Sequence, residues 1–418
     1  MKKIAIVGTG ISGLTCAYLL NKQHDITVFE AGDYIGGHTA TKTVDVAGKA
    51  WQIDTGFIVF NDRTYPNFEK LLAKIGVGRL ATEMSFSVSN QDSGLEYSGT
   101  NINTLFAQRR NLFNPNFLGL IQHILRFNAL CNELWLNNTV DKTQNLGAFL
   151  AEHKFSDYFA NHYILPMGAA IWSSSLQDML AFPLYFFIRF FYNHGLLSIT
   201  NRPQWYVIPG GSKQYVGPLS ASFNDKIQLN APVTSIERLA HGIRLKVCDG
   251  EWQMFDEVIL ACHSNQAKRM LNDISDNEQM VLSGLQYQNN EVVLHTDINL
   301  LPVKKLAWAA WNYNLNSDNE RPTALTYNMN ILQNLPDDAP TFCVTLNQTK
   351  LIDSDKVLGV YQYEHPIFNA KSIAAQQQRE LICGQQHTHF AGAYWYNGFH
   401  EDGVNSALDV CKRFGASL

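Results

Sequence analysis

Residues 4–13 read IAIVGTGISG, and this stretch restricts the fold more tightly than any other in the chain. Ile4-Ala5-Ile6-Val7 is wholly apolar, as suits a strand buried on both faces of a parallel sheet. Gly8, Gly10 and Gly13 follow, then LTCAYLLNKQ, which reads as a helix, then a second strand, Asp25 to Phe29, ending at Glu30. The result is a complete βαβ unit with G-x-G-x-x-G spacing. Gly8 permits the tight turn, Gly10 lets the backbone approach a pyrophosphate, and Gly13 lets the helix pack close to the strand. Ile11 and Ser12 open that helix, whose free N–H groups favour phosphate. Glu30 is placed to accept hydrogen bonds from the adenosine ribose, and its charge would repel the 2′-phosphate of NADP.

Composition narrows the function classes. The chain has 418 residues, 46% of them hydrophobic, enough for two or more domains with large cores. A net charge of −5 argues against nucleic acid as a main partner. Aromatics reach 12%, which fits either a large core or a deep apolar pocket. The seven Cys form no C-x-x-C pair, so neither zinc nor a disulfide framework is expected, and reduced thiols suit a cytoplasmic protein. MKKIAIVGTGISGLTC mimics a secretory signal, but three glycines break its apolar run. The nearest approach to a membrane span, FPLYFFIRFF from Phe182, is short and carries Arg189. A soluble protein is expected, with contact at a membrane surface left open.

After Glu30 comes AGDYIGGHT, from Ala31, with a Gly36-Gly37 pair and then His38; further on stands Asp54-Thr55-Gly56-Phe57-Ile58. Together with the opening βαβ unit, these segments resemble the flavin-containing amine oxidase superfamily, which also holds phytoene-desaturase-like and protoporphyrinogen-oxidase-like enzymes. The closest likeness is to a bacterial subgroup of NAD/FAD-binding oxidoreductases that resemble the flavoprotein part fused to some plant cyclopropane fatty acid synthases. His38 stands where the family pattern has Arg, replacing a permanent charge by a group that can bond as a neutral donor. The resemblance extends to APVTSI at 231–236, where it implies that the Val233 backbone touches the adenine, and to FDEVILAC at 255–262. It also covers the C-terminal HFAGAYWYNGFHEDGVNSALDV, from His389.

The resemblance implies FAD as cofactor and an α/β fold in which a Rossmann-type FAD-binding domain is interleaved with an α+β substrate domain. The FAD-binding part is expected at residues 1–80, 205–285 and 385–418, and the substrate-binding part at 81–204 and 286–384. The expected cofactor contacts are Gly8, Gly10, Ile11, Ser12, Gly13, Glu30, Ala31, Gly36, Gly37, His38, Thr55, Gly56, Phe57, Val233, Gly392, Ala393, Asp402 and Val404. Asp402 reads as the N-cap of a helix beginning near Gly403. On that reading His400-Glu401-Asp402 is scaffold for the flavin rather than acid–base machinery. Tyr394, Trp395 and Tyr396 are expected near the ring face.

Residues 105–200 read as helical and 287–365 as strand-rich, with turns at SDNERP and PDDAP. Asn61-Asp62-Arg63 suits a cap for a helix starting near Pro66, with a flavin-edge role for Arg63 as the alternative. FPLYFFIRFFYNHGLL is either a buried helix or the wall of a lipid-sized tunnel. Trp308 and Trp311 are either core or site wall. His387 and His389 share a strand face but have no third metal ligand, so no metal is expected. A second G-x-G-x-x-G unit is absent, which disfavours an NAD(P)H site.

The expected activity is FAD-dependent oxidation of an apolar, fatty-acyl-like substrate, with hydride passing to flavin N5. Because a hydride can leave directly, no catalytic residue is assigned. The alternatives are a flavin-dependent double-bond isomerase of a lipid-like substrate, an amine oxidase, and a flavin-binding partner of a lipid methyltransferase. Substrate identity, electron acceptor and oligomeric state are not written in the sequence.

Overall fold

The computed structural model describes residues 1–316, 318, 320 and 323–418. One part is built on a five-stranded, all-parallel sheet in the spatial order Ile227–Gln228, Asp25–Phe29, Lys3–Val7, Glu257–Leu260 and Thr388–Phe390. Ile4, Ala5 and Ile6 are fully buried, as their unbroken apolar run requires. Helix Ile11–Leu20 crosses from the first strand to the second. On its outer side lies the C-terminal helix, His400–Lys412. The two approach closely because Gly403 has no side chain: a Cβ there would stand 2.6 Å from Ile11 Cγ2. Ser12 Oγ donates to Gly403 O at 2.9 Å across the same contact.

A second, seven-stranded sheet runs Val357–Pro366, Tyr287–His295, Cys343–Leu346, Leu325–Asn328, Trp311–Leu315, Phe86–Asn90 and Leu95–Ser98. All its pairings are antiparallel except Trp311–Leu315 with Phe86–Asn90. The helices Pro115–Leu136, Leu146–Glu152, Leu165–Trp172 and Leu184–Asn193 pack into a core dominated by Phe127, Phe149, Phe159, Phe187 and Phe191. The chain crosses between the two sheets repeatedly, as an interleaved α/β fold requires.

Several local expectations change. The C-terminal helix starts at His400, not Gly403, so Asp402 is its third residue rather than its cap. From there the Asp402 carboxylate reaches back and accepts from Phe399 N at 2.9 Å, the return half of a capping box. Helix Pro66–Lys74 does begin where expected, but Asn61 does not cap it. Asn61 Oδ1 closes a local turn, accepting from Arg63 N and Thr64 N. The orphan amides of Asn67 and Phe68 are instead satisfied by Glu401, at 3.0 and 2.8 Å. LAWAAW is mostly turn, with the strand starting only at Trp311, and Met329–Leu332 is a helical turn rather than strand. The PDDAP turn is present, closed by Ala339 N donating to Pro336 O. The SDNERP turn, 317–322, lies largely outside the described residues.

Candidate active site

The C-terminal ends of the parallel strands open onto a cavity of about 940 Å³ that continues to the inner face of the seven-stranded sheet. Gly8 occupies φ +106°, and a Cβ there would meet Ala261 O at 2.6 Å. At Gly13 a Cβ would stand 1.9 Å from Gly8 O, so the close helix–strand contact depends on its absence. Gly10 differs from both: a Cβ built on it meets no heavy atom within 4 Å, because the residue faces the cavity. Gly10 is also the cap position of helix Ile11–Leu20, and among the described residues no side chain caps that helix. Its first N–H groups therefore lack side-chain partners at the cavity wall, as an anion-binding helix end requires.

Glu30 ends the second strand at the same wall. One carboxylate oxygen accepts from Thr9 N at 2.9 Å and from Thr9 Oγ1, and the other accepts from Gly32 N at 2.8 Å. These bonds fix its orientation beside the cavity. Gly37, at φ +58°, brings its backbone against Gly10, where a Cβ would stand 3.2 Å from Gly10 Cα. The uncapped helix end, the open space at Gly10 and the anchored Glu30 carboxylate together fit a dinucleotide.

Of the residues singled out from sequence, Gly8, Gly10, Ile11, Ser12, Glu30, Ala31, Gly36, Gly37, His38, Gly56, Phe57, Val233, Gly392 and Ala393 line this cavity. Gly13, Thr55, Asp402 and Val404 are not among its lining residues. Gly13 acts through helix packing. Thr55 Oγ1 bonds Ala40 O and Tyr363 OH, at 3.1 and 2.8 Å, behind the wall. Val404 is fully buried in the core. Of the aromatic triplet only Tyr394 reaches the cavity. Tyr396 OH donates to Asp409, and Trp395 lies beneath the guanidinium of Arg379.

His400, Glu401 and Asp402 play three structural parts. His400 stacks on Phe57 with ring centroids 3.7 Å apart and bonds Tyr215 OH at 2.8 Å. Burial lowers its pKa to about 3, so the ring is neutral. Glu401 caps helix Pro66–Lys74, and Asp402 caps its own helix. Burial pushes both carboxyls up to about 7, against the backbone N–H groups that favour the ionised form. His387 and His389 face Glu257, at 3.5 and 3.2 Å, and Lys2 bonds the same carboxylate. They cluster around the Glu257 carboxylate. Among the described residues no group of three or more His, Cys, Asp or Glu is placed to hold a metal. Arg63 bonds Asn201 O and lines a neighbouring groove rather than this cavity.

Residues unmarked in sequence, His263 and His365 among them, complete the cavity. His38, His263 and His365 cluster, with His38 5.7 Å from His263 and 5.9 Å from His365 between ring centroids. Burial above all, then the other two imidazoles, lowers His38 to about 3, and its Nε2 has no partner among the described residues. His263 Nδ1 bonds Glu364 at 2.9 Å. Asn290, whose amide is oriented by Asn347, donates to His365 Nδ1 at 3.2 Å, which places the neutral ring's proton on Nε2. His263 stands just past the strand Glu257–Leu260, at the cap of the helix Ser264–Met270, so its place beyond the end of a central parallel strand was a usable signal. His365, on the other sheet, carries none.

Beyond the histidines the cavity turns apolar: Met84, Phe86, Met167, Ile171, Trp172, Phe190, Trp311, Tyr327, Leu332 and Phe368 form its far walls. Phe190 belongs to the FPLYFFIRFF segment, whose Phe187 and Phe191 are core, so that helix serves as both wall and packing. Trp311 lines the cavity, whereas Trp308 donates to Pro302 O outside it. Among the described residues the charged lining side chains are Glu30, Arg269 and Glu364, none of them in the apolar chamber.

The model of the flavin-containing amine oxidoreductase family matches residues 11–297. The chain belongs to this family. Its cofactor is FAD, and by class it is an FAD-dependent oxidoreductase. The flavoprotein is 22% identical to the L-amino-acid oxidase of Mus musculus over 301 residues, 68% of this chain and 46% of that protein. It is 24% identical to the carotenoid phi-ring synthase of Chlorobaculum tepidum over 132 residues, 31% of this chain and 19% of that one. The flavoprotein thus spans less than half the length of these curated relatives. Among solved structures it resembles cyclohexylamine oxidase from Brevibacterium oxydans, with a TM-score of 0.69, 14% identity and 99% of both chains covered. It also resembles a fatty acid isomerase from P. acnes, with a TM-score of 0.67, 15% identity and 99% and 98% covered. At such identities the likeness concerns the fold.

Proposed function

We propose that this flavoprotein oxidises an apolar, fatty-acyl-like substrate bound in the Trp172–Trp311 chamber. The observation that carries the reading is one continuous cavity, polar where Gly8, Gly10 and Glu30 would hold FAD and uncharged where a substrate would lie. Ile11, Ser12, Ala31, Gly36, Gly37, His38, Gly56, Phe57, Val233, Gly392 and Ala393 would complete the cofactor contacts. The division at residues 1–80, 205–285 and 385–418 against 81–204 and 286–384 belongs to the same proposal, supported by the two sheets. The chemistry FAD supplies when bound is two-electron oxidation, a hydride from a substrate C–H bond ending on N5.

The chain's own residues position the substrate and exclude water. Trp172 and Phe190, with ring centroids 5.0 Å apart, wall one side of the chamber, and Trp311 with Tyr327, at 5.1 Å, wall another. His194 Nδ1 bonds Phe190 O at 2.9 Å and so must donate there, leaving the Nε2 lone pair of the neutral ring available. His194 lines both this cavity and the neighbouring groove. It can therefore take the second hydrogen, as a proton, at Nε2. Burial lowers its pKa to about 4, so the proton would be held only in passing.

Mass spectrometry of acyl chains before and after turnover tests the reading. Products two hydrogens lighter are expected. Unchanged mass with a moved double bond would assign an isomerase, and aldehyde with peroxide from amines would assign an amine oxidase. A functional link to a lipid methyltransferase is part of the same proposal, tested by reconstitution with and without such a partner.

A further inference from the structure

Helix Pro115–Leu136 buries Phe117, Leu120, Phe127 and Cys131 on one side. On its other side Leu118, Leu125 and Leu136 all stand exposed, the last at 70%. Their spacing keeps them on one stripe, and Asn132, seven residues after Leu125, lies on the same stripe. Asn132 lines a groove of about 650 Å³ and donates to Leu197 O at 2.9 Å. That contact brings the stripe beside Ile199, which is 64% exposed. Trp135 meets Tyr185 and Tyr192 with tilted rings, centroids 5.6 and 5.7 Å apart, and Tyr192 also lines the groove.

The groove is polar, with Asn67, Asn132, Asn193, Asn201, Asn397 and Asn405 in its walls beside Arg63, Glu401 and Asp402. Tyr65, His194, Asn397 and Phe399 line both it and the apolar cavity, so the two adjoin at those residues. At the other end of the helix, Leu112 and Phe113 are exposed, Phe113 at 88%. Next to them Arg109 bonds Asn103 O and Phe106 O. The short helix Ile102–Leu105 packs on the turn Lys305–Ala307, which adds exposed Ile102, Val303, Lys304 and Lys305. Arg109 and Arg110 are exposed as well, and Arg126 flanks the stripe. The helix itself carries one acid, Glu133. In a chain of net charge −5, this local excess of cations around exposed apolar tips matches an anionic lipid surface.

We propose that the exposed stripe Leu118–Leu125–Leu136, with Phe113 and its arginines, docks on an anionic bilayer and sets the polar groove at the headgroups, so that an acyl chain reaches the cavity through the Tyr65–His194–Asn397–Phe399 junction. Apolar tips enter the headgroup boundary, the half-buried Trp135, Tyr185 and Tyr192 suit the interface, and the cations meet anionic lipid. The inference extends the acyl-substrate reading but is tested without turnover, so either can fail alone.

The test is co-sedimentation of the FAD-loaded full chain with phosphatidylcholine vesicles, with and without phosphatidylglycerol. Binding to the anionic vesicles, weakened by salt, is expected. Leu118→Gln/Leu125→Gln/Leu136→Gln should reduce partitioning at least about tenfold, and Arg109→Gln/Arg110→Gln roughly tenfold or more on anionic vesicles only. Unchanged flavin absorbance and circular dichroism would show that both variants fold. Failure of the wild type to bind either vesicle, or wild-type binding by the leucine variant, would overturn the proposal. So would a dimer, seen by sedimentation, that the leucine changes abolish in a chain that ignores vesicles.

Discussion

Gly10→Ala separates what the nucleotide cradle does for the fold from what it does for the cofactor. Gly10 sits at φ −62°, ψ 173°, a conformation open to any residue, and its added Cβ would touch nothing in the protein. The apoprotein should therefore lose no stability and gain up to about 1 kcal/mol from the stiffer unfolded chain. FAD is another matter, because the new methyl projects into the space where the pyrophosphate would lie. Overpacking of this kind costs about 1–3 kcal/mol, or roughly five- to 150-fold in FAD affinity. Flavin fluorescence titration gives the affinity, and thermal melts with and without FAD give the stability. The FAD-dependent rise in Tm should shrink while the apoprotein Tm holds. Gly13→Ala is the contrast, because its Cβ would overlap Gly8 O and should destabilise even the apoprotein. Wild-type FAD affinity in Gly10→Ala, or an apoprotein as damaged as that of Gly13→Ala, would refute the assignment.

Other consequences follow from single groups. The pKa of Glu401 is raised from 4.5 to about 7, so the stability its protonated form contributes is complete below about pH 4 and lost as pH rises through 7. Denaturant melts should show Glu401→Gln gaining on the wild type by about 1.4 kcal/mol per pH unit between those limits. Met167→Trp should fill part of the apolar chamber, leaving FAD affinity intact while acyl-substrate kcat/KM falls about tenfold or more. His194→Gln should lower kcat by about 10²-fold with unchanged FAD affinity, measured by stopped-flow beside a flavin titration. A normal kcat would remove His194 from the reaction.

The nucleotide half was the legible half. IAIVGTGISG and Glu30 combine local motif, strand pattern and spacing, and the parallel sheet leaves such a segment little freedom. The C-terminal stretch was read correctly as to kind but misplaced by three residues. Asp402 suits a cap chemically, yet at the third helical position it caps backward, and Phe399 takes the cap position. Glu401 shows a limit of another sort. It caps a helix more than three hundred residues earlier, a partnership set by tertiary packing that no local pattern encodes. The same holds for the chamber. Trp172, Trp311 and His365 lie on three separate elements, and only the fold brings them around one cavity. Trp308 and Trp311 look alike in sequence, but one faces Pro302 and the other the cavity.

The most direct measurement is anaerobic mixing of the FAD-loaded protein with acyl lipids, and separately with a panel of amines, while the oxidised-flavin absorbance is followed. Bleaching by acyl lipids and none by amines is the predicted result. Bleaching by amines with indifference to acyl lipids would contradict the account.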